Sequence, residues 1–396
     1  MVSSGFDSTV RRGGGARSLD ILIVSLGATG GLRAVDDELL ASLLRAGTGA
    51  GIVRPEPPAP VRTLMLTDLR WALATRRAVT AELARTSARA LIYSTTTAAL
   101  LWPRPGAIRF DAPAAANRPG RHGLWQRPLE RRRLREASLL LAQSEGALLE
   151  VPAAVRDARR REGELVLPVP VEPSGTHESH SLREVGKLGD SEYLGEADKA
   201  SESRIPDDAR KLHASHNERD IAAITYAANP GKKGLDVVLD AWRGVRKPGE
   251  ELLVAGVEER ELCSLGYAPP GPGVRVVGML AHRDYRALLR RARVYVCAAR
   301  REDYGVAQLE ALADGCMLVT TPSPGPYVAL PLARELDGRL VPPDHGVAEL
   351  GVAVRTALDD PLPGYAQRAL SVLLPFRRAA VDKLVTELLL PTLLGR

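Results

Sequence analysis

Short, wholly apolar runs alternate along this chain with stretches whose apolar residues recur at helical spacing. Few folds accommodate that alternation. The first run, Asp20-Ile-Leu-Ile-Val-Ser25, ends in a glycine turn, Gly27-Ala-Thr-Gly-Gly31. Behind it Val35, Leu39, Leu40, Leu43 and Leu44 fall on one helical stripe. Further strands are expected at Thr63–Leu66, Ala90–Ser94, Ala107–Phe110 and Leu139–Ala142, with helices at Trp71–Ala84 and Leu124–Arg135. A strand with no polar alternation needs cover on both faces. Intervening helices supply it in a parallel sheet.

The alternation stops and then restarts. From Pro173 to about Asn217 the residues are mainly Ser, Glu, Asp, His, Lys and Gly, a composition that cannot bury a core. A second series begins at Ile221-Ala-Ala-Ile-Thr-Tyr226. It continues through helix Leu235–Trp242, strands Leu252–Ala255 and Val274–Val277, helix Tyr285–Ala292, strand Val294–Ala298, helix Val306–Ala313 and strand Met317–Thr320. At 396 residues the chain has room for two domains. The expected division is a disordered leader at 1–17, an N-terminal domain at 18–172, a polar and disordered linker at 173–218, and a C-terminal domain at 219–378. Residues 379–396 are expected to cross back to the N-terminal domain. The fold class is α/β, with two Rossmann-like doubly wound domains facing across a cleft, where open sheets of this kind bind ligands.

The net charge of +6 is unevenly spread. Residues 1–172 carry 25 basic and 17 acidic side chains, residues 173–220 carry 7 and 11, and residues 221–396 carry 22 and 20. With 47 Arg against 7 Lys, the excess reads as the codon usage of a GC-rich genome, and no nucleic-acid partner is expected. A positive first half still suits acidic partners. The run Arg127–Arg135, with Leu124 and Trp125 before it, is either a solvated helix face or a peripheral contact with an anionic membrane. No stretch reaches the roughly 18 apolar residues that span a bilayer. The run Ile21–Leu26 is too short for a signal peptide. Cys263, Cys297 and Cys316 lack metal-like spacing and fit a reducing, cytoplasmic setting, with any membrane association at the inner face. Two His-x-x-His pairs, His177/His180 and His213/His216, are open to zinc or are simply part of a polar linker.

The densest chemistry lies in Arg301-Glu-Asp-Tyr-Gly-Val-Ala-Gln-Leu-Glu-Ala-Leu-Ala-Asp-Gly315. Glu302 closes a loop after a buried strand, and Glu310 sits in the helix starting near Gly305. Eight helical residues span about 800°, some 80° out of register, so the two carboxylates point to separate tasks. A carboxylate accepts two hydrogen bonds, which suits the vicinal hydroxyls of a ribose or hexose. The helix N-terminus beside them suits a phosphate. An acidic first turn followed by a surface Glu would look the same by spacing alone.

Glu302-x7-Glu310, within Glu-Asp-Tyr-Gly-x3-Leu-Glu-Ala-Leu-Ala-x-Gly, resembles the E-x7-E signature of retaining GT-B glycosyltransferases, family 4 (glycosyl transferases group 1). Lys233-Gly-Leu-Asp236, Gly278-x-Leu280 with Tyr285-x2-Leu-Leu289-x2-Ala292, and Val319-Thr-Thr-Pro322 agree in order, over about residues 221–345. The resemblance implies a nucleoside-diphosphate sugar as donor substrate, no separate cofactor, and a hydroxyl-bearing acceptor such as a glycan or lipid-linked sugar. It implies that Glu310 binds the donor ribose and Glu302 the transferred sugar. Tyr304, Gly305 and Val306 would line the helix N-terminus, and Lys233 would neutralise the diphosphate. Gly30 and Gly31 would approach the diphosphate through a loop without side chains. Ala228 departs from the family, which usually has Arg five residues before that Lys. Lys232 or an Arg from elsewhere would have to compensate.

Asp111, after strand Ala107–Phe110, is a candidate to orient an acceptor hydroxyl or take its proton, with His122 further on. Equally, Asp111 caps a loop and pairs with Arg118 or Arg121. No Asp-x-Asp triplet occurs, so a metal-held diphosphate is not expected. A nucleotide-sugar epimerase of the same architecture and a non-catalytic nucleotide-sugar-binding relative remain the alternatives.

Overall fold

A computed structural model of the chain describes residues 17–61, 63–114, 118, 120–159, 163–174 and 219–395. Both His-x-x-His pairs and nearly all of the leader lie outside the described residues. The chain divides into two units. The first takes Met1–Ala142, Val151–Leu167 and Asp382–Arg396, and the second takes Gln143–Glu150 and Pro168–Val381.

The first unit holds six parallel strands: β1 (Arg17–Val24), β2 (Ala50–Val53), β3 (Thr86–Tyr93), β4 (Ala107–Phe110), β5 (Leu140–Ala142) and β6 (Glu164–Val166). Their order is β2-β1-β3-β4-β5-β6, so the winding reverses between β1 and β3. Ile21, Leu22, Ile23 and Val24 of β1 are at most 1% exposed. Each such side chain contributes roughly 1.5–3 kcal/mol of burial. The second unit holds β7 (Ile221–Tyr226), β8 (Leu252–Ala255), β9 (Val274–Gly278), β10 (Ala292–Cys297) and β11 (Met317–Thr320). Its order, β11-β10-β7-β8-β9, reverses between β10 and β7. All pairings in both sheets are parallel. These are two Rossmann-like α/β units.

Some local readings change. Thr63–Leu66 is not a strand, because Thr63 accepts a hydrogen bond from Leu66 N and opens helix Leu64–Leu83. The strand lies earlier, at Ala50–Val53. On helix Gly30–Arg45 the covered stripe is Asp36, Leu39, Ser42 and Leu43, while Leu44 is 50% exposed. Polar Asp36 and Ser42 take inward places because each hydroxyl or carboxylate finds a side-chain partner, Ser25 for Asp36 and Asp382 for Ser42. Ser42 Oγ donates to Asp382 at 2.5 Å and Arg45 Nε to the same carboxylate at 2.7 Å, which ties residues after 382 to the first unit. The last helix is interrupted by a π turn over Val385–Leu389. Pro391 follows it and has no N–H to give the preceding turn, the usual reason for such a widening.

Candidate functional site

Two strand ends meet where the second sheet reverses. β7 runs into Ala227-Ala228-Asn229, and the Asn229 side chain accepts from Lys232 N at 3.0 Å, capping a single turn, Pro230–Lys233. Pro at the first helical position favours that start. The turn delivers Lys233 towards the loop that follows β10. There Lys233 Nζ donates to Glu302 Oε2 at 2.6 Å, and Gln308 Nε2 donates to the same oxygen at 3.1 Å. Glu302 is buried, and the Lys233 side chain keeps 22% of its exposure. Burial works against the Lys233 charge, but Glu302, Cys297 and Asp303 outweigh it and hold the ammonium above its ordinary pKa. Lys233 is therefore a cation across the physiological range, with one face open.

Beside this pair, Lys232 Nζ bonds Asp303 at 2.7 Å, and Arg301 Nε reaches the other Asp303 oxygen at 2.8 Å. Arg301 also bonds Glu150 at 2.9 Å. Ala228 is exposed at the strand end, and Lys232 and Arg301 are both held by Asp303.

Helix Val306–Ala313 begins at Gly305, whose φ of +95° is left-handed, and no side chain caps it. An added Cβ there would lie 2.7 Å from the Tyr327 ring, so glycine is demanded by both backbone and packing. The helix thus presents its positive end without a side chain of its own in the way. The Tyr304 ring turns inward instead, and its hydroxyl accepts from Val169 N at 2.9 Å. What Tyr304 brings to the helix end is backbone. One turn on, Glu310 Oε1 is bonded by His282 Nε2 at 2.6 Å, with Arg286 Nη1 at 3.7 Å. Glu302 and Glu310 accordingly serve different partners.

In the first unit, Thr29 caps helix Gly30–Arg45 by accepting from Leu32 N. A Cβ on Gly30 or Gly31 would meet nothing within 4 Å, so packing does not require glycine at either. Asp111 Oδ1 accepts from the next backbone N–H, Ala112 N, at 2.8 Å, and Arg118 bonds Asp68 at 2.7 Å. Further along helix Gly30–Arg45 lies a fully buried pair: Asp36 Oδ2 accepts from Ser25 Oγ at 2.6 Å, and Arg109 Nη1 is 3.7 Å from Asp36 Oδ1. Burial raises the Asp36 pKa, while Arg109 and Ser25 oppose that rise.

Lys233, Glu302, Gly305, Val306 and Glu310, all marked by the sequence, lie at the second unit's crevice together with Gln308 and His282, which the sequence does not mark. Gln308 lies within the E-x7-E stretch, and that position is the only sign of it in the sequence. His282 opens helix His282–Arg291, and nothing local marks it as a partner of Glu310. Among the described residues, no three His, Cys, Asp or Glu side chains converge as metal ligands do. No helix among them is long and apolar enough to cross a membrane.

Residues 219–360 match the family model of glycosyl transferases group 1. No curated protein sequence matches the chain. Among solved structures the chain resembles Anabaena HepE in complex with UDP-glucose, at TM-score 0.61 and 15% identity over 94% of this chain and 99% of that one. Sucrose-phosphate synthase of Thermosynechococcus elongatus matches with TM-score 0.61 and 15% identity, over 92% and 96%. WaaG, a glycosyltransferase involved in lipopolysaccharide biosynthesis, matches with TM-score 0.60 and 15% identity, over 93% and 99%. The shared architecture is the two-domain GT-B fold, and at this identity the likeness speaks for fold alone.

Proposed function

We propose that the chain is a glycosyltransferase that moves a hexose from a nucleoside-diphosphate sugar to an acceptor hydroxyl, with retention of configuration and without a metal ion. The observation that carries the reading is the half-open Lys233–Glu302 pair beside the uncapped helix end, inside the segment that matches the group 1 model. A cation and a helix N-terminus at one crevice suit a diphosphate that gains charge as it departs. Glu310, a carboxylate with 12% of its side chain exposed, suits the vicinal hydroxyls of a ribose. Glu302 suits hydroxyls of the transferred sugar and keeps Lys233 oriented.

In the reaction the bond from the anomeric carbon to the diphosphate breaks and a bond to the acceptor oxygen forms. The hydroxyl proton passes to a carboxylate, for which Asp111 is the candidate in the first unit. Lys233 stabilises the leaving charge and needs no proton transfer to do so. HepE, a neighbour in fold, was solved with UDP-glucose, which favours a nucleotide-sugar donor here.

The test is turnover of a panel of nucleotide sugars with hydroxyl acceptors, with the anomeric configuration of the product read by NMR. A transferred sugar with the donor's configuration supports the reading. Inverted product contradicts retention, and dependence on an added divalent ion contradicts the metal-free step. Interconversion of the donor's own sugar would indicate an epimerase. Binding without turnover, the outcome that Ala228 favours, would make the chain a nucleotide-sugar-binding relative.

A further inference from the structure

We propose that His282 competes with the donor ribose for Glu310, so that nucleotide-sugar affinity rises as the imidazole loses its proton. This rests on the reading of Glu310 as the ribose-binding carboxylate.

The geometry leaves one carboxylate oxygen occupied and one open. Glu310 Oε1 takes the bond from His282 Nε2 at 2.6 Å, and among the described residues no hydrogen-bond donor reaches Oε2. A vicinal diol presents two hydroxyl donors to one carboxylate, so a bidentate ribose needs Oε1 as well. Two side chains face that oxygen, and they differ in freedom. Arg286 is held by Asp314 at 2.6 and 3.0 Å and by the Glu172 carbonyl at 2.7 Å. His282 begins its helix, keeps 64% of its side chain exposed and can swing into solvent without opening the core. The imidazole is the group that yields.

The charge environment sets the direction of the effect. Glu310 faces the imidazole from helix Val306–Ala313, Asp314 from that helix's C-cap, and Arg286 from its own helix, with Arg283 and Asp284 adjacent in sequence. The hydrogen bond to Glu310 raises the His282 pKa above its ordinary 6.5, against the opposing effects of burial and Arg286. A protonated imidazole makes a charge-assisted bond about twice as strong as a neutral one. Competition is therefore strongest at low pH and fades as pH rises through the folded-state value.

The experiment is calorimetric titration of the full chain with UDP-glucose, and with GDP-mannose and ADP-glucose in parallel, from about pH 5.5 to about pH 8.5. The diphosphate of a nucleotide sugar has no proton to lose in that range. Wild type should bind about two- to threefold more tightly at the alkaline end. His282→Ala should bind with a flat profile at the wild-type alkaline affinity, and His282→Gln with a flat, somewhat weaker one. Parallel pH profiles for wild type and His282→Ala would overturn the proposal. So would a His282→Ala variant that binds more weakly at alkaline pH, since the imidazole would then be helping the donor. Glu310→Gln separates the two readings: equal affinity in that variant, or no binding of any of the three donors to wild type, removes the donor-site reading and this inference with it. Binding that depends on Glu310 but not on His282 removes only this inference.

Discussion

Both sheets reverse their strand order in the same manner, one between β1 and β3 and the other between β7 and β10, and both reversals carry charged residues. The charges are placed differently. In the first unit Asp36 and Arg109 are at most 1% exposed and bond inward, and Gly30 and Gly31, expected in a loop, are instead the first residues of helix Gly30–Arg45 and carry no side chains. In the second, Lys233 keeps 22% of its side chain exposed and Glu310 12%, and each is held at one point. The same topology thus yields two kinds of crevice. One has its charge built into the wall and a bare rim, and the other carries its charge on the rim. Topology says where a ligand goes, and the exposure of the charges says which unit offers it chemistry.

The largest expected effect breaks the wall. Asp36→Ala removes the buried carboxylate that lies 3.7 Å from Arg109 and bonds Ser25, and should cost about 3–5 kcal/mol of stability in urea unfolding. A loss below about 1 kcal/mol would mean that the pair does not hold the first crevice together. Gly305→Ala comes next: a left-handed φ and contact with Tyr327 predict a loss of about 1–3 kcal/mol by the same measurement. Gly31→Ala should instead change stability by less than about 1 kcal/mol, since space is open there. If Gly31→Ala nevertheless weakens donor binding, the bare rim serves a ligand.

The smallest effect is a pH dependence. A His whose folded pKa is raised contributes stability that is fully present below its unfolded value of about 6.5 and is lost as pH rises through the higher folded value. Because His282 is largely exposed, the contribution should be only ~0.5 kcal/mol. The thermal midpoint of His282→Ala should therefore fall below that of wild type at about pH 5.5 and match it at about pH 8.5. A gap of the same size at both would place the effect in packing.

The fold class was legible because most of its strands are short and largely apolar: β4, β7, β8 and β11 lie where the runs lie. β2 and β6 were not. One contains a glycine and spans four residues, and the other is a half-exposed edge of three, so neither carries a periodic signal. Thr63-Leu-Met-Leu66 misled for the opposite reason, because a short apolar run reads equally as strand or helix. Within the second crevice, Lys233, Glu302 and Glu310 stood out through motif order. His282 and Gln308 did not, since a bond across 28 residues arises only when two helices pack, and Gln308 has its role only because Cys297 and Glu302 close around it.

The central claim is that the second unit's rim holds a nucleoside-diphosphate sugar. Its most direct test is the affinity of wild type, Lys233→Ala and Glu310→Ala for the donor that wild type prefers, measured at about pH 8.5 where His282 interferes least. Wild type should bind, and each variant should bind on the order of 10–100-fold more weakly while unfolding as cooperatively as wild type. Equal affinity in all three would contradict the account.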